Sequence, residues 1–213
     1  MTLLSAYYDL LLPELPGCTT TMLDLHLRET ARTFCQQTGA WKLPFDAVNL
    51  VADVATYDLS PSESQAEVVR ITRLTLDGEL MWEDTDRPQR HTDDAEPKYT
   101  RNEPPFSLSP DLLEITLITD EMPTAAVVGG MEIIGTMKPT STATQIPDFL
   151  KRQYSDAMRY GTLARLMVMA KKPWTDRALA TYYSGEWNKA LNFAAYQAQV
   201  GNTREHLRVK KWG

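Results

Sequence analysis

The sequence has few of the residues that mark a disulfide-linked, metal-bound or membrane-spanning protein. Its 213 residues include two cysteines, Cys18 and Cys35, which are too few for a disulfide framework or a four-cysteine zinc site. No run of roughly 18 apolar residues is present, so we expect no membrane-spanning helix. The segment from Met1 to Leu12 lacks the basic start of a secretory signal, and Pro13 ends its apolar stretch. A soluble protein of a reducing compartment or of a virion is therefore predicted.

The chain has fewer basic residues than acidic residues. The chain carries 22 Lys and Arg residues against 28 Asp and Glu residues, which gives a formal net charge of −6 at pH 7. Non-specific binding to duplex DNA depends on Lys and Arg side chains that neutralise phosphates, so this balance argues against a DNA-coating protein. The hydrophobic share of 43% is ordinary for a globular protein. At this length the chain can form one large domain or two small ones.

The N-terminal third shows the apolar spacing of helices. Threonines 19–21 offer N-cap oxygens, and Gly39 offers a C-terminal stop. Between them the apolar positions fall on one helical face, made of Leu23, Leu27, Ala31, Phe34 and Cys35. A helix from about residue 20 to residue 38 is therefore predicted.

The C-terminal third predicts two further helices. The first opens at Pro147, and the second is capped by Thr175 and continues to about Val200. The first of them carries a row of small residues, Ala157, Gly161 and Ala164. We therefore expect another helix to approach it closely there.

Between these ends, the spacing changes to that of short strands. The Asp77-Gly78 pair lies between two apolar runs and predicts a two-residue hairpin, because both turn positions need a positive φ. Further strands are expected at 106–108 and at 112–119. The segment 125–137, which is interrupted by the Gly129-Gly130 pair, is expected to form one or two strands. Residues 83–105 contain no Leu, Ile, Val, Met, Phe or Trp and predict a polar loop.

Together these patterns predict an α+β fold. The N- and C-terminal helices, within 1–45 and 141–213, form one helical bundle domain, and residues 46–140 form an inserted antiparallel β-sheet or sandwich domain. A basic C-terminal tail occupies 203–213.

No catalytic constellation stands out. His91 with Asp93, Asp94 and Glu96 has the composition of a cation site, but no apolar residue nearby would hold its geometry, so a solvated loop is favoured. The sequence has no C-x-x-C pair, no G-x-S-x-G elbow and no phosphate-binding glycine loop. We expect neither an enzyme nor a bound metal or cofactor.

Two features predict contact with partners. The last helix is apolar over a wider arc than one bundle contact requires, which fits either plain core or, in part, a subunit interface. The candidate interface residues are Tyr182, Trp187, Phe193 and Tyr196. The basic tail is either a frayed terminus or a docking peptide. Its candidate docking residues are Arg208, Lys210, Lys211 and Trp212.

Several segments of the two helical ends resemble one known family. They are LPELPGC at 12–18, LRETARTFC at 27–35 followed by Trp41, IPDFL at 146–150, GTLARL at 161–166 and KPW at 172–174. Together they are similar to the head-to-tail adaptor proteins of short-tailed bacteriophages and prophages, the tail-tubular-protein-A-like adaptors. The resemblance spans nearly the whole chain, and its motifs are structural rather than chemical.

This resemblance implies a structural virion protein in a twelve-subunit ring beneath the portal. Such a ring extends the DNA channel, closes the filled head and carries tail nozzle or fibre proteins. The helical bundle would build the ring, and the tail residues Arg208, Lys210, Lys211 and Trp212 would dock on the portal protein. DNA would pass through an acidic channel without specific binding. The expected location is the neck of the virion, assembled in the host cytoplasm and without membrane contact.

Two other functions are compatible with the same residues. One is a non-catalytic β-sandwich module that binds protein or carbohydrate and is carried on a helical stalk. The other is a hydrolase that uses the acidic loop, which requires divalent-metal binding. An adaptor differs from both because it should associate with portal particles.

Overall fold

A computed structural model of the chain describes residues 1–76, 79–81, 106–110, 112–117 and 123–200. The chain divides into two compact units, one of Met1–Trp41 with Pro139–Gly213 and one of Lys42–Lys138. These limits lie within a few residues of the predicted domain limits. Helices and antiparallel sheets are both present, so the predicted α+β class is confirmed. The predicted polar loop 83–105 and the basic tail 203–213 lie outside the described residues.

The first unit opens with short elements that lead into a long helix. They are β1 (Thr2–Leu3), a 3-10 turn (Leu4–Tyr7), α1 (Tyr8–Leu11), a second 3-10 turn (Leu12–Glu14) and α2 (Thr20–Thr38). The Thr19 hydroxyl accepts a hydrogen bond from the Met22 amide at 3.4 Å, and Gly39 ends α2 with a φ of 63°. Both ends of α2 are therefore confirmed, and its predicted apolar face is fully buried.

After the second unit, the chain returns to helices. The elements are β10 (Gln145–Ile146), which pairs antiparallel with β1, then α3 (Asp148–Gln153), α4 (Ser155–Met167) and α5 (Arg177–Val200). The single helix expected after Pro147 is wrong, because Tyr154 leaves the helical region at a φ of −127° and separates α3 from α4. The α5 cap is also one residue away from its predicted place, since Asp176 accepts from the Leu179 amide at 3.0 Å. The Thr175 hydroxyl instead donates to the Met169 carbonyl.

The described residues of the second unit form strands of 3 to 13 residues in two sheets. The strands are β2 (Lys42–Pro44), β3 (Val48–Leu50), β4 (Thr56–Asp58), β5 (Ala66–Leu76), β6 (Glu79–Met81), β7 (Phe106–Leu108), β8 (Glu114–Leu117) and β9 (Val127–Pro139). One sheet has the order β2-β9-β5-β6, with β3 also paired to β9, and the other has the order β4-β8-β7. Strands β5 and β6 pair antiparallel, with Leu76 opposite Glu79, which is the register that a two-residue hairpin requires.

Strand β9 runs through the Gly129-Gly130 pair, so the segment 125–137, expected to form one or two strands, forms one. Gly129 adopts a φ of 65°, and the pairing register with β3 shifts between Val48 and Leu50. The Gly129 amide donates to the Asn49 side-chain oxygen at 2.8 Å. The glycine therefore serves a bulge inside one long strand rather than a break between two strands.

Candidate interaction surface

Helix α5 approaches α2 and α4 closely at Gly161. A Cβ atom on Gly161 would lie 2.6 Å from Thr30 Cγ2 and 2.7 Å from Trp187 Cε3, so only glycine allows the three helices to come this close. The Trp187 ring also packs on Phe34, with 5.9 Å between ring centroids. The close helix approach predicted from the small residues is therefore confirmed at Gly161.

The same packing corrects one of the four candidate interface residues. Trp187 is 9% exposed, and its indole ring fills the space that the missing Gly161 side chain leaves open. Because the ring is already covered by α2 and α4, it is not available to a partner subunit. At about 100° per residue, Trp187 lies on the same side of α5 as Tyr183 and Leu191, so helical spacing already separates it from the three exposed candidates.

A polar network reinforces the buried face of α5. The Tyr183 hydroxyl donates to one oxygen of the Glu14 carboxylate, and the Arg159 guanidinium donates to the other, with its Nε at 3.0 Å. Burial, together with the hydrogen bond to Glu14, raises the pKa of Tyr183 to about 12. The hydrogen bond to Glu14 also raises the pKa of Arg159. Glu14 thus ties the segment before α2 to both α4 and α5.

The opposite face of α5 is apolar but open to solvent. Its large side chains are between 42% and 64% exposed, and they are Leu179, Tyr182, Phe193 and Tyr196. At about 100° per residue, all four lie within an arc of about 100°. Glu186 and Lys189 form an ion pair at 2.7 Å in the middle of that arc. We call these six residues the outer face of α5; three of the four candidate interface residues belong to it.

A groove lies beside the outer face. It has a volume of about 720 Å³ and runs between the α3–α4 corner, residues 152–157, and α5. From α5 it is lined by Ala190, Phe193 and Gln197, and the Tyr154 hydroxyl donates to the Gln197 side-chain oxygen at 2.9 Å. The break between α3 and α4, which the sequence pattern did not predict, creates this groove. Phe193 lines the groove and also belongs to the outer face.

The charged residues of the LRETARTFC segment have structural partners that sequence patterns did not reveal. Arg28 Nε donates to the Ala143 carbonyl, and Arg32 Nη1 donates to the Pro139 carbonyl, both at 2.7 Å. Arg165 of α4 donates to the Thr33 hydroxyl, also at 2.7 Å. These contacts hold the chain that follows β9 against α2 and join α2 to α4. These contacts could have been predicted from the spacing of the polar residues on the face of α2 next to its apolar stripe.

Among the described residues, the side chains that could take part in a reaction are not grouped into a catalytic site. Within the described part of the chain, no cluster of three or more His, Cys, Asp and Glu residues could hold a metal ion. Burial raises the pKa of Cys35 and of Cys18, which disfavours the reactive thiolate, and burial lowers the pKa of His26. Two predicted groups lie outside the described residues, the acidic loop with His91, Asp93, Asp94 and Glu96 and the tail with Arg208, Lys210, Lys211 and Trp212. The expectation that the chain is not an enzyme stays a prediction.

No protein-family model and no curated protein matches the chain. Among the described helices, none combines the length and the apolar character needed to cross a membrane.

Proposed function

We propose that this chain is a structural protein of a bacteriophage virion, a head-to-tail adaptor that assembles as a ring between portal and tail. The observation that carries the proposal is the outer face of α5. One side of this helix is fully occupied by α2 and α4, while the other side presents Tyr182, Phe193 and Tyr196 to solvent. Exposed aromatic side chains grouped on a rigid element are the usual anchors of protein–protein contacts.

A ring needs a subunit that presents two different surfaces to its neighbours. In the proposed ring the outer face of α5 is one of these surfaces. The resemblance in segments such as LPELPGC and LRETARTFC supports the assignment, since their residues build the bundle that holds α5 in place: Glu14 bonds to Tyr183, and Thr30 contacts Gly161. The motifs thus contribute to the structural scaffold of the bundle, as expected of a protein whose function is to assemble with other proteins.

The partners follow from the same proposal. The chain associates with copies of itself, with the portal protein above and with tail nozzle or fibre proteins below. A net charge of −6 on each copy makes the ring acidic, and like charge lets DNA pass without adhering to the wall. The basic tail with Arg208, Lys210, Lys211 and Trp212 docks on the portal. The proposal requires no cofactor or metal ion and places the protein at the neck of the virion.

Electron microscopy of virions labelled at this protein tests the proposal. The label should lie between capsid and tail in every intact particle. A label on the capsid shell or at the fibre tips, or purified virions that lack the protein, would contradict it.

The docking role of the tail has its own test. Deletion of residues 203–213 should leave the thermal unfolding of the chain unchanged and weaken its binding to purified portal particles. The matched control is the full-length chain with Leu25→Ser, which alters an exposed apolar residue of α2 and keeps the tail. If the truncated chain binds portal as tightly as the full chain, the tail is not the docking segment.

A further inference from the structure

We draw no further inference here: the strongest candidate, the groove of about 720 Å³ between the α3–α4 corner and the outer face of α5, carries nothing, because nothing in the part of the chain that the structure describes shows what covers it.

Discussion

The two faces of α5 have similar composition and opposite surroundings. On the inner face, Tyr183 and Trp187 are buried against α2 and α4, and the Tyr183 hydroxyl reaches Glu14. On the outer face, Tyr182 and Phe193 stay more than half exposed. Nothing in the side chains themselves distinguishes the two sets. What distinguishes them is their surroundings: Gly161 on α4 leaves room for the Trp187 ring, whereas the large side chains of the outer face stay exposed.

This difference separates stability from assembly. The inner face stabilises the fold of the helical unit, because its aromatic surface is removed from water within a single chain. The outer face contributes little to that fold and keeps its apolar area for a partner. Substitutions on the two faces should therefore change different measured quantities.

The largest expected effect is on folding stability and belongs to the inner face. Trp187→Ala should lower the free energy of unfolding by about 3–5 kcal/mol, because it removes a large ring from a closely packed site and leaves a cavity. Phe193→Ala, on the outer face of the same helix, should change the free energy of unfolding by about 0.5 kcal/mol or less. Urea unfolding of dilute protein, followed by circular dichroism, measures both. Equal losses in the two variants would remove the distinction between the faces.

Alanine substitutions at two glycines, Gly161 and Gly185, should have smaller effects on folding stability, and the two effects should be opposite in sign. Gly161→Ala should destabilise the chain by about 1–3 kcal/mol, since the new methyl group would overlap Thr30 and the Trp187 ring. Gly185→Ala should stabilise it by up to about 1 kcal/mol, because its Cβ meets no atom within 4 Å and alanine favours the helix. Thermal unfolding of the two variants side by side measures the difference. Stabilisation by Gly161→Ala would show that α4 and α5 are not held together there.

Local sequence patterns predicted the helices well where the chain carries its own start and stop. Thr19 and Gly39 bound α2 because a hydroxyl cap and a left-handed glycine act within a few residues. The break at Tyr154 could not be predicted in this way. No proline or glycine marks it, and the Tyr154 ring lies 4.9 Å from that of Phe34, so tertiary packing accompanies the irregular backbone.

The candidate surface was predicted in outline and not in detail. The width of the apolar arc on α5 indicated that some of its aromatic residues exceed what the core requires, and three of the four candidates are exposed. Trp187 was included among the candidates as an aromatic residue, although helical spacing places it on the same side as Tyr183 and Leu191. The groove at the α3–α4 corner was not predicted, because the break at Tyr154 was not predicted.

A further effect concerns pH and again belongs to the inner face. The pKa of Tyr183 is raised to about 12, so the folded chain keeps this proton where the unfolded chain has lost it, above a pH of about 10. The free energy of unfolding should therefore fall as pH rises from about 10 towards 12. Burial raises the pKa of Tyr7 and Tyr154 too, so Tyr183→Phe should flatten this fall without abolishing it. Tyr182→Phe on the outer face is the control, and an unchanged pH dependence in Tyr183→Phe would refute the assignment.

The most direct test of the account is the mass of the complexes formed when the full chain is mixed with purified portal particles. The account predicts that the unaltered chain adds to each portal in many copies and that Phe193→Asp, which keeps the inner face intact, unfolds normally but fails to assemble. Assembly of Phe193→Asp to the same mass as the unaltered chain would contradict a role for the outer face of α5. An unaltered chain that leaves the mass of the portal unchanged would contradict the adaptor function itself.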